Sequence, residues 1–111
     1  MKILTVLFAF LQGFSVHIYA QQATLKGTVI DTSEKRNLAH AVVAILRPAD
    51  SVIVNFTRTD AHGNFSMQKL SPGNNLLMVT RPGYADYFDQ VDLAVLVNNL
   101  GQVAMILKSR L

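Results

Sequence analysis

Two patterns of apolar and polar positions divide this chain. The first twenty residues hold one apolar stretch, from Ile3 to Phe14 apart from Thr5, Gln12 and Gly13, behind the positive Met1-Lys2 start. From Ala23 onward the apolar residues instead fall into short runs separated by turn residues every 8–12 positions, and no segment keeps a helical i, i+3, i+4, i+7 spacing for more than a turn. The runs predict seven strands. They cover Thr24 to Asp31, Ala41 to Leu46, Val52 to Thr59, Asn64 to Lys69, Leu76 to Thr80, Tyr87 to Leu93 and a last one carrying Val103, Met105 and Leu107. The second run is almost wholly apolar, as expected of a strand covered on both faces.

Turn chemistry fills the gaps. Asp60-Ala61-His62-Gly63 pairs an aspartate able to cap backbone amides with a glycine able to take positive φ, and Ser71-Pro72-Gly73-Asn74 and Arg81-Pro82-Gly83 read as further turns. Asn98-Asn99 is expected to separate the sixth strand from the seventh. The fold class that follows is all-β, a seven-stranded antiparallel Greek-key sandwich with Val29, Val43, Ile45, Val54, Phe65, Leu77, Val79, Val91 and Val103 in its core.

The leading stretch has the layout of a cleavable secretory signal, with Ala20 before the cut and Gln21 as the mature terminus. A spanning helix needs about 20 apolar residues, and Gln12, Gly13 and Ser15 interrupt this run sooner. The expected organisation is therefore a signal peptide over 1–20 and one domain over 21–111. Losing Lys2 takes the formal net charge from +3 to +2, nine basic residues against seven acidic ones, with no basic cluster that would engage nucleic acid. The chain has no cysteine, so neither a disulfide nor a lipidated cysteine is open to it, and a Gram-negative envelope suits an exported domain of this kind. An outer-membrane barrel needs at least eight strands of about 9–11 residues with aromatic girdles, which this sequence does not supply.

Catalytic chemistry is equally short of material. His40 and His62 are the only histidines after residue 20 and form no ligand pair, so no metal and no cofactor is expected. Asp31 and Asp60 fall at strand ends as turn caps, while Asp86, Asp89 and Asp92 are spaced by three, which points successive strand residues to opposite faces. None of Ser33, Ser51, Ser66, Ser71 or Ser109 lies in a Gly-x-Ser-x-Gly elbow. The triplets at Asn55 and Asn64 that match a glycan acceptor fall inside strands and are set aside. Tyr84, Tyr87 and Phe88 cluster near one end and are the candidate ligand contacts, set against the plainer reading that they pack structurally.

The order of these features resembles the carboxypeptidase regulatory-like, transthyretin-like sandwich domain. The resemblance is carried by Gly27-Thr28-Val29-Ile30-Asp31, Leu38 to Val43, Thr59 to Phe65, Leu70-Ser71-Pro72-Gly73 and Gly83-Tyr84. Gly27, Asp60, Gly63, Pro72, Gly73 and Gly83 are then expected as structural turn positions. Asn37, His40 and Asn75 depart from the residues usual there, which are proline, glycine and an aromatic. Asp50-Ser51-Val52 and Leu100-Gly101-Gln102-Val103 are further similar to the N-terminal extension of TonB-dependent outer-membrane receptors. The resemblance implies a non-catalytic periplasmic or outer-membrane-associated domain, part of such a receptor or a stand-alone copy, whose partners are envelope proteins or a receptor plug and barrel. A carbohydrate- or peptide-binding module is the alternative, and a transthyretin-like small-molecule binder or hydrolase a further one.

Overall fold

The computed structural model describes residues 21–111, and the expected signal segment lies outside them. The strands are β1 (Ala23–Asp31), β2 (Arg36–Asn37), β3 (Val42–Leu46), β4 (Ile53–Arg58), β5 (Asn64–Leu70), β6 (Gly73–Thr80), β7 (Tyr87–Leu93) and β8 (Leu96–Met105), followed by a 3₁₀ turn at Lys108–Arg110. Seven of the eight are the expected strands, and the eighth is the two-residue β2 inside the connection after β1. None of the helices among the described residues is long and apolar enough to cross a membrane.

The strands form two sheets. In the first, β1 pairs with β2 and β5 on one side and with β8 on the other; in the second the order is β4-β3-β6-β7. The chain makes the β3–β4 hairpin, crosses to the first sheet for β5, returns for β6 and β7, and crosses again to set β8 beside β1. Those crossings let the first and last strands run in the same direction, so β1 and β8 pair in parallel while every other pairing is antiparallel.

The core lies between the sheets. Leu25 and Val29 of β1, Val43 and Ile45 of β3, Phe65 and Met67 of β5, Leu77 and Val79 of β6, Val91 and Leu93 of β7 and Val103 and Met105 of β8 are all buried and form one cluster. Among the described residues the members of this cluster run from Ala23 to Met105.

Val54, expected in that core, is 50% exposed. The pairing of β3 with β4 shifts between Ile45 and Leu46, so that Ile45 faces Asn55 but Leu46 faces Ile53, and Val54 is the extra residue of the bulge. The register also sets Asn55 and Thr57 on the inward side of β4, beside Ile45 and Val43, which leaves Phe56 outward beside Ala44. The apolar side of β4 therefore faces away from the core.

Two boundaries also differ from expectation. Asn98 and Asn99 lie within β8 rather than before it, because their side chains brace the strand. Asn98 accepts from the Ala94 amide (2.9 Å) and donates to the Ala94 and Thr24 carbonyls, and Asn99 accepts from Gly101 N (2.9 Å) at the kink where Gly101 takes φ +68°. Leu107 falls beyond β8 and makes an isolated bridge to Tyr84.

Candidate functional site

The three candidate aromatic residues do not share a surface. Tyr84 is buried, at 2% exposure, between Arg81 and the end of β1. Tyr87 pairs with the core residue Val79 and lies half-buried on the inward side of β7, while Phe88 pairs with Met78 on the outward side and is 62% exposed.

Tyr84 is instead the centre of a polar network. Its hydroxyl donates to Asp31 Oδ2 (2.8 Å) and accepts from Arg36 Nη2 (3.3 Å), and the Arg81 guanidinium stands 5.4 Å from its ring centroid. Asp31 Oδ1 meanwhile accepts from the amides of Ser33 (2.9 Å) and Glu34 (3.1 Å), the cap expected of an aspartate at a strand end. Burial pushes the Asp31 carboxyl upward, but the Tyr84 hydroxyl, the two amides and the Arg36 charge together outweigh it and hold the group below the ordinary aspartate value. Asp31 Oδ1 thus caps the turn after β1, while Asp31 Oδ2, the Tyr84 hydroxyl and Arg36 join β1 to the Arg81–Tyr84 corner. Arg36 stays exposed and, with Asp31 and Lys35, lines a cleft of about 290 Å³.

The turn positions show the same structural use. Asp60 Oδ1 accepts from the His62 and Asn64 amides, both at 2.9 Å, and these bonds hold its carboxyl below the usual range. Gly63 takes φ +77°, and a Cβ there would stand 2.7 Å from the Val29 carbonyl oxygen. Pro72 lies between β5 and β6, Gly73 (φ +95°) opens β6, and Gly83 (φ +86°) precedes Tyr84. Gly27 is a correction, since it lies within β1 and makes no turn. Its hydrogen faces the Phe65 ring, where a Cβ would come within 2.9 Å of Cζ, so its role is close packing across the sheet.

The outward faces of both sheets are open. On the outward side of the first sheet, an open cleft of about 500 Å³ is lined by Lys26, Thr28, Arg58, Asn64, Ser66 and Asn99 among others. Lys26 stands between Ser66 and Asn99 in the sheet, and Thr28 donates to Asn64 Oδ1 (2.6 Å). Gly27, Asp60 and the buried Phe65 complete the lining. On the outward side of the second sheet, Phe56, Ala44, Met78 and Phe88 form one cross-strand row, with Ile53, Val54, Leu46 and Leu76 beyond it. The sequence pattern hides this second surface, because alternation alone marks the apolar side of β4 as inward. The signal for it is the other half of that alternation, Asn55 and Thr57, whose inward positions only the register reveals. His40 and His62 are both exposed and lie in separate turns. No three His, Cys, Asp or Glu side chains converge among the described residues.

The comparisons agree with this architecture. No curated protein matches the sequence. Among solved structures, the Bacillus anthracis TIE protein superposes with a TM-score of 0.63 at 18% identity, over 77% of this chain and 17% of its own. The group B streptococcus pilus 2b backbone protein gives 0.58 at 19% identity, over 86% of this chain and 44% of its own. The 3-chlorocatechol 1,2-dioxygenase of Rhodococcus opacus 1CP gives 0.55 at 14%, over 71% and 46%. This chain spans less than half the length of each. At such identities the likeness is one of fold, shared here by a dioxygenase and a pilus protein alike. The sequence itself matches one family over residues 24–104, from the second residue of β1 almost to the end of β8. The chain belongs to the carboxypeptidase regulatory-like domain family.

Proposed function

We propose that this chain is a non-catalytic exported domain that works by contact with other proteins of a Gram-negative envelope, as the periplasmic N-terminal extension of a TonB-dependent outer-membrane receptor or a stand-alone copy of it. The observation that carries the reading is the use made of the polar residues. Asp31 and Tyr84, the titratable groups drawn furthest from solvent, are tied to each other and to neighbouring amides, while the widest open surfaces are sheet faces. Broad faces and edges suit protein contact better than turnover of a small molecule. The family match over 24–104 supports the same reading, as does the signal-like layout of residues 1–20.

Fractionation of a Gram-negative host expressing the full chain tests this. A polypeptide beginning at Gln21 that stays with the outer membrane in the absence of a span of its own is the expected result. A full-length polypeptide retained in the cytosol contradicts it.

A second reading, a glycan- or peptide-binding module, is favoured by the polar cleft around Lys26, Thr28 and Ser66. Titration of the isotope-labelled domain with oligosaccharides and extended peptides, followed by amide shifts, tests it. Shifts confined to β1, β5 and β8 support that reading, and an unchanged spectrum removes it.

A further inference from the structure

We propose that the outward face of the first sheet binds an acidic glycan, a short chain of uronic-acid sugars lying along β1 with carboxylates at both ends of the face. This rests on the second reading of the chain, as a glycan- or peptide-binding module, and narrows that reading to one ligand class.

The larger cleft leaves over donors and has committed its acceptors. Asn64 Oδ1 accepts from the Thr28 hydroxyl, Asn99 Oδ1 from the Gly101 amide, and Asp60 Oδ1 from the His62 and Asn64 amides. By contrast, the side chains of Lys26 and Arg58, the Ser66 hydroxyl and the Nδ2 groups of Asn64 and Asn99 have no hydrogen-bond or ion-pair partner among the described residues, and all five residues are exposed. Cations and neutral donors together suit a group that only accepts, and the planar fork of an arginine matches a carboxylate. Lys26 and Arg58 against the single carboxylate of Asp60 leave this cleft net positive.

A second basic pair stands at the other end of the same face. The outward rows run Ser66, Lys26, Asn99, then Asn64, Thr28, Gln102, then Asn37, Ile30, Ala104, and none of these residues is acidic. Beyond them Lys35 and Arg36 line the smaller cleft together with Ile30 and Gln102. Its one aspartate, Asp31, has both oxygens engaged by Tyr84 and the Ser33 and Glu34 amides, whereas Lys35 has no ion-pair partner among the described residues. Arg36 is paired with Asp31, five residues along β1 from Lys26, or roughly 16 Å. Positive charge at both ends with neutral polar groups between them suits a chain of several sugars rather than one small anion.

The same census favours a glycan over a peptide. An extended peptide carries amide N–H donors of fixed direction that need acceptors in return, and Asn64 Oδ1 and Asn99 Oδ1 are already committed. Sugar hydroxyls rotate, so they accept from the cleft while turning their own hydrogens to solvent. Because the basic groups are exposed, each ion contact contributes little alone, and the expected Kd is roughly 0.1–1 mM.

Amide-shift titration of the isotope-labelled full chain tests this with tetragalacturonate, its methyl ester, monomeric galacturonate and tetraglutamate. Tetragalacturonate is expected to shift residues of both clefts, to bind at least about tenfold tighter than the ester or the monomer, and to weaken at least about threefold between about 20 and 300 mM NaCl. Lys26→Gln combined with Arg58→Gln is expected to cost about tenfold in affinity. Asn99→Asp keeps the oxygen that the Gly101 amide needs but turns a donor into a negative charge, and is expected to weaken binding at least about fivefold. These positions are exposed, and unchanged core amide shifts check that the variants keep the fold. Equal binding of the methyl ester leaves the saccharide reading standing and overturns the acidic ligand. Tetraglutamate binding as tightly as tetragalacturonate overturns it in favour of a peptide, and no shift with any probe removes the module reading as well. Equal binding of the monomer, shifts outside the two clefts, or an Asn99→Asp variant that binds like the wild type also overturns the proposal.

Discussion

The Tyr84 hydroxyl donates a 2.8 Å hydrogen bond to Asp31 across 53 positions of sequence, and this one contact ties the end of β1 to the corner that leads into β7. Tyr84 is the largest of the fully buried side chains, and its hydroxyl both accepts from Arg36 and donates to Asp31. The corner is thus held by ring packing and by a charge-assisted bond at once.

Removing only the hydroxyl isolates the second contribution. Tyr84→Phe leaves a buried carboxylate one donor short and is expected to cost about 1.5–3 kcal/mol in urea unfolding. Tyr84→Ala also empties the ring site and is expected to cost about 3–5 kcal/mol. Equal losses from the two substitutions would show that the ring adds nothing beyond its hydroxyl, and no loss from Tyr84→Phe would show that the hydrogen bond carries none of the stability.

Acid sensitivity follows from Asp31 and Asp60, whose carboxyls are both held below their ordinary value of 3.8 in the folded chain. A depressed folded value means that the unfolded chain takes up protons first as the pH falls. Their stabilisation is therefore fully present above the ordinary value and is lost as the pH drops from there through the folded values. Urea midpoints measured from pH 7 to pH 2 are expected to hold down to about pH 4 and then fall. Asp60→Asn should flatten that acid limb. A decline beginning above pH 5 would show that other groups govern it.

Gly63 occupies a place that no side chain fits. Its φ is +77°, and a Cβ built on it would stand 2.7 Å from the Val29 carbonyl oxygen, so Gly63→Ala meets both backbone strain and a clash with backbone. The expected cost is about 2–4 kcal/mol, or roughly 10 °C or more in Tm for a domain of this size. At Gly73, where nothing lies within 4 Å, Gly73→Ala meets only the strain of φ +95° and should cost less. A larger loss at Gly73 than at Gly63 would contradict the packing account.

Thr59 is a buried polar residue with both of its hydrogen-bonding roles filled. Its hydroxyl donates to the Leu38 carbonyl (2.6 Å) and accepts from the Ala41 amide (2.9 Å), locking the connection before β3 to the end of β4. Thr59→Val keeps the shape and orphans both backbone groups, with an expected loss of about 1–3 kcal/mol by thermal unfolding. A neutral result would mean that the connection relaxes to find other partners.

Strands whose alternation agrees with their burial are legible from residues alone. In β1 and β5 the apolar positions Leu25, Val29, Phe65 and Met67 point inward, and in β3 the continuous run Val43 to Leu46 is buried on both faces. The reading reverses at β4, where Asn55 and Thr57 point inward and Phe56 outward, because a bulged edge strand escapes the rule that the apolar side faces the core. Tyr84 reads as a ligand contact for a different reason. It stands in a turn with no periodicity of its own, and its burial depends on Asp31 and Arg36, which adjoin it only in three dimensions. Asn98 and Asn99 read as a break because local propensity marks asparagine as a turn residue, whereas here the Asn98 amide fastens β8 to Thr24 of β1 and to Ala94, and Asn99 accepts from the Gly101 amide within β8.

The most direct test of the proposed role is capture. The domain spanning 21–111 is immobilised, exposed to a detergent-solubilised Gram-negative envelope extract, and the retained proteins are identified by mass spectrometry. A receptor barrel, a plug or an energy-coupling protein held by the wild type is the predicted result. Retention of nothing from the envelope, together with saturable binding of an oligosaccharide or peptide to the Lys26–Ser66 face, would contradict it and establish a free binding module instead.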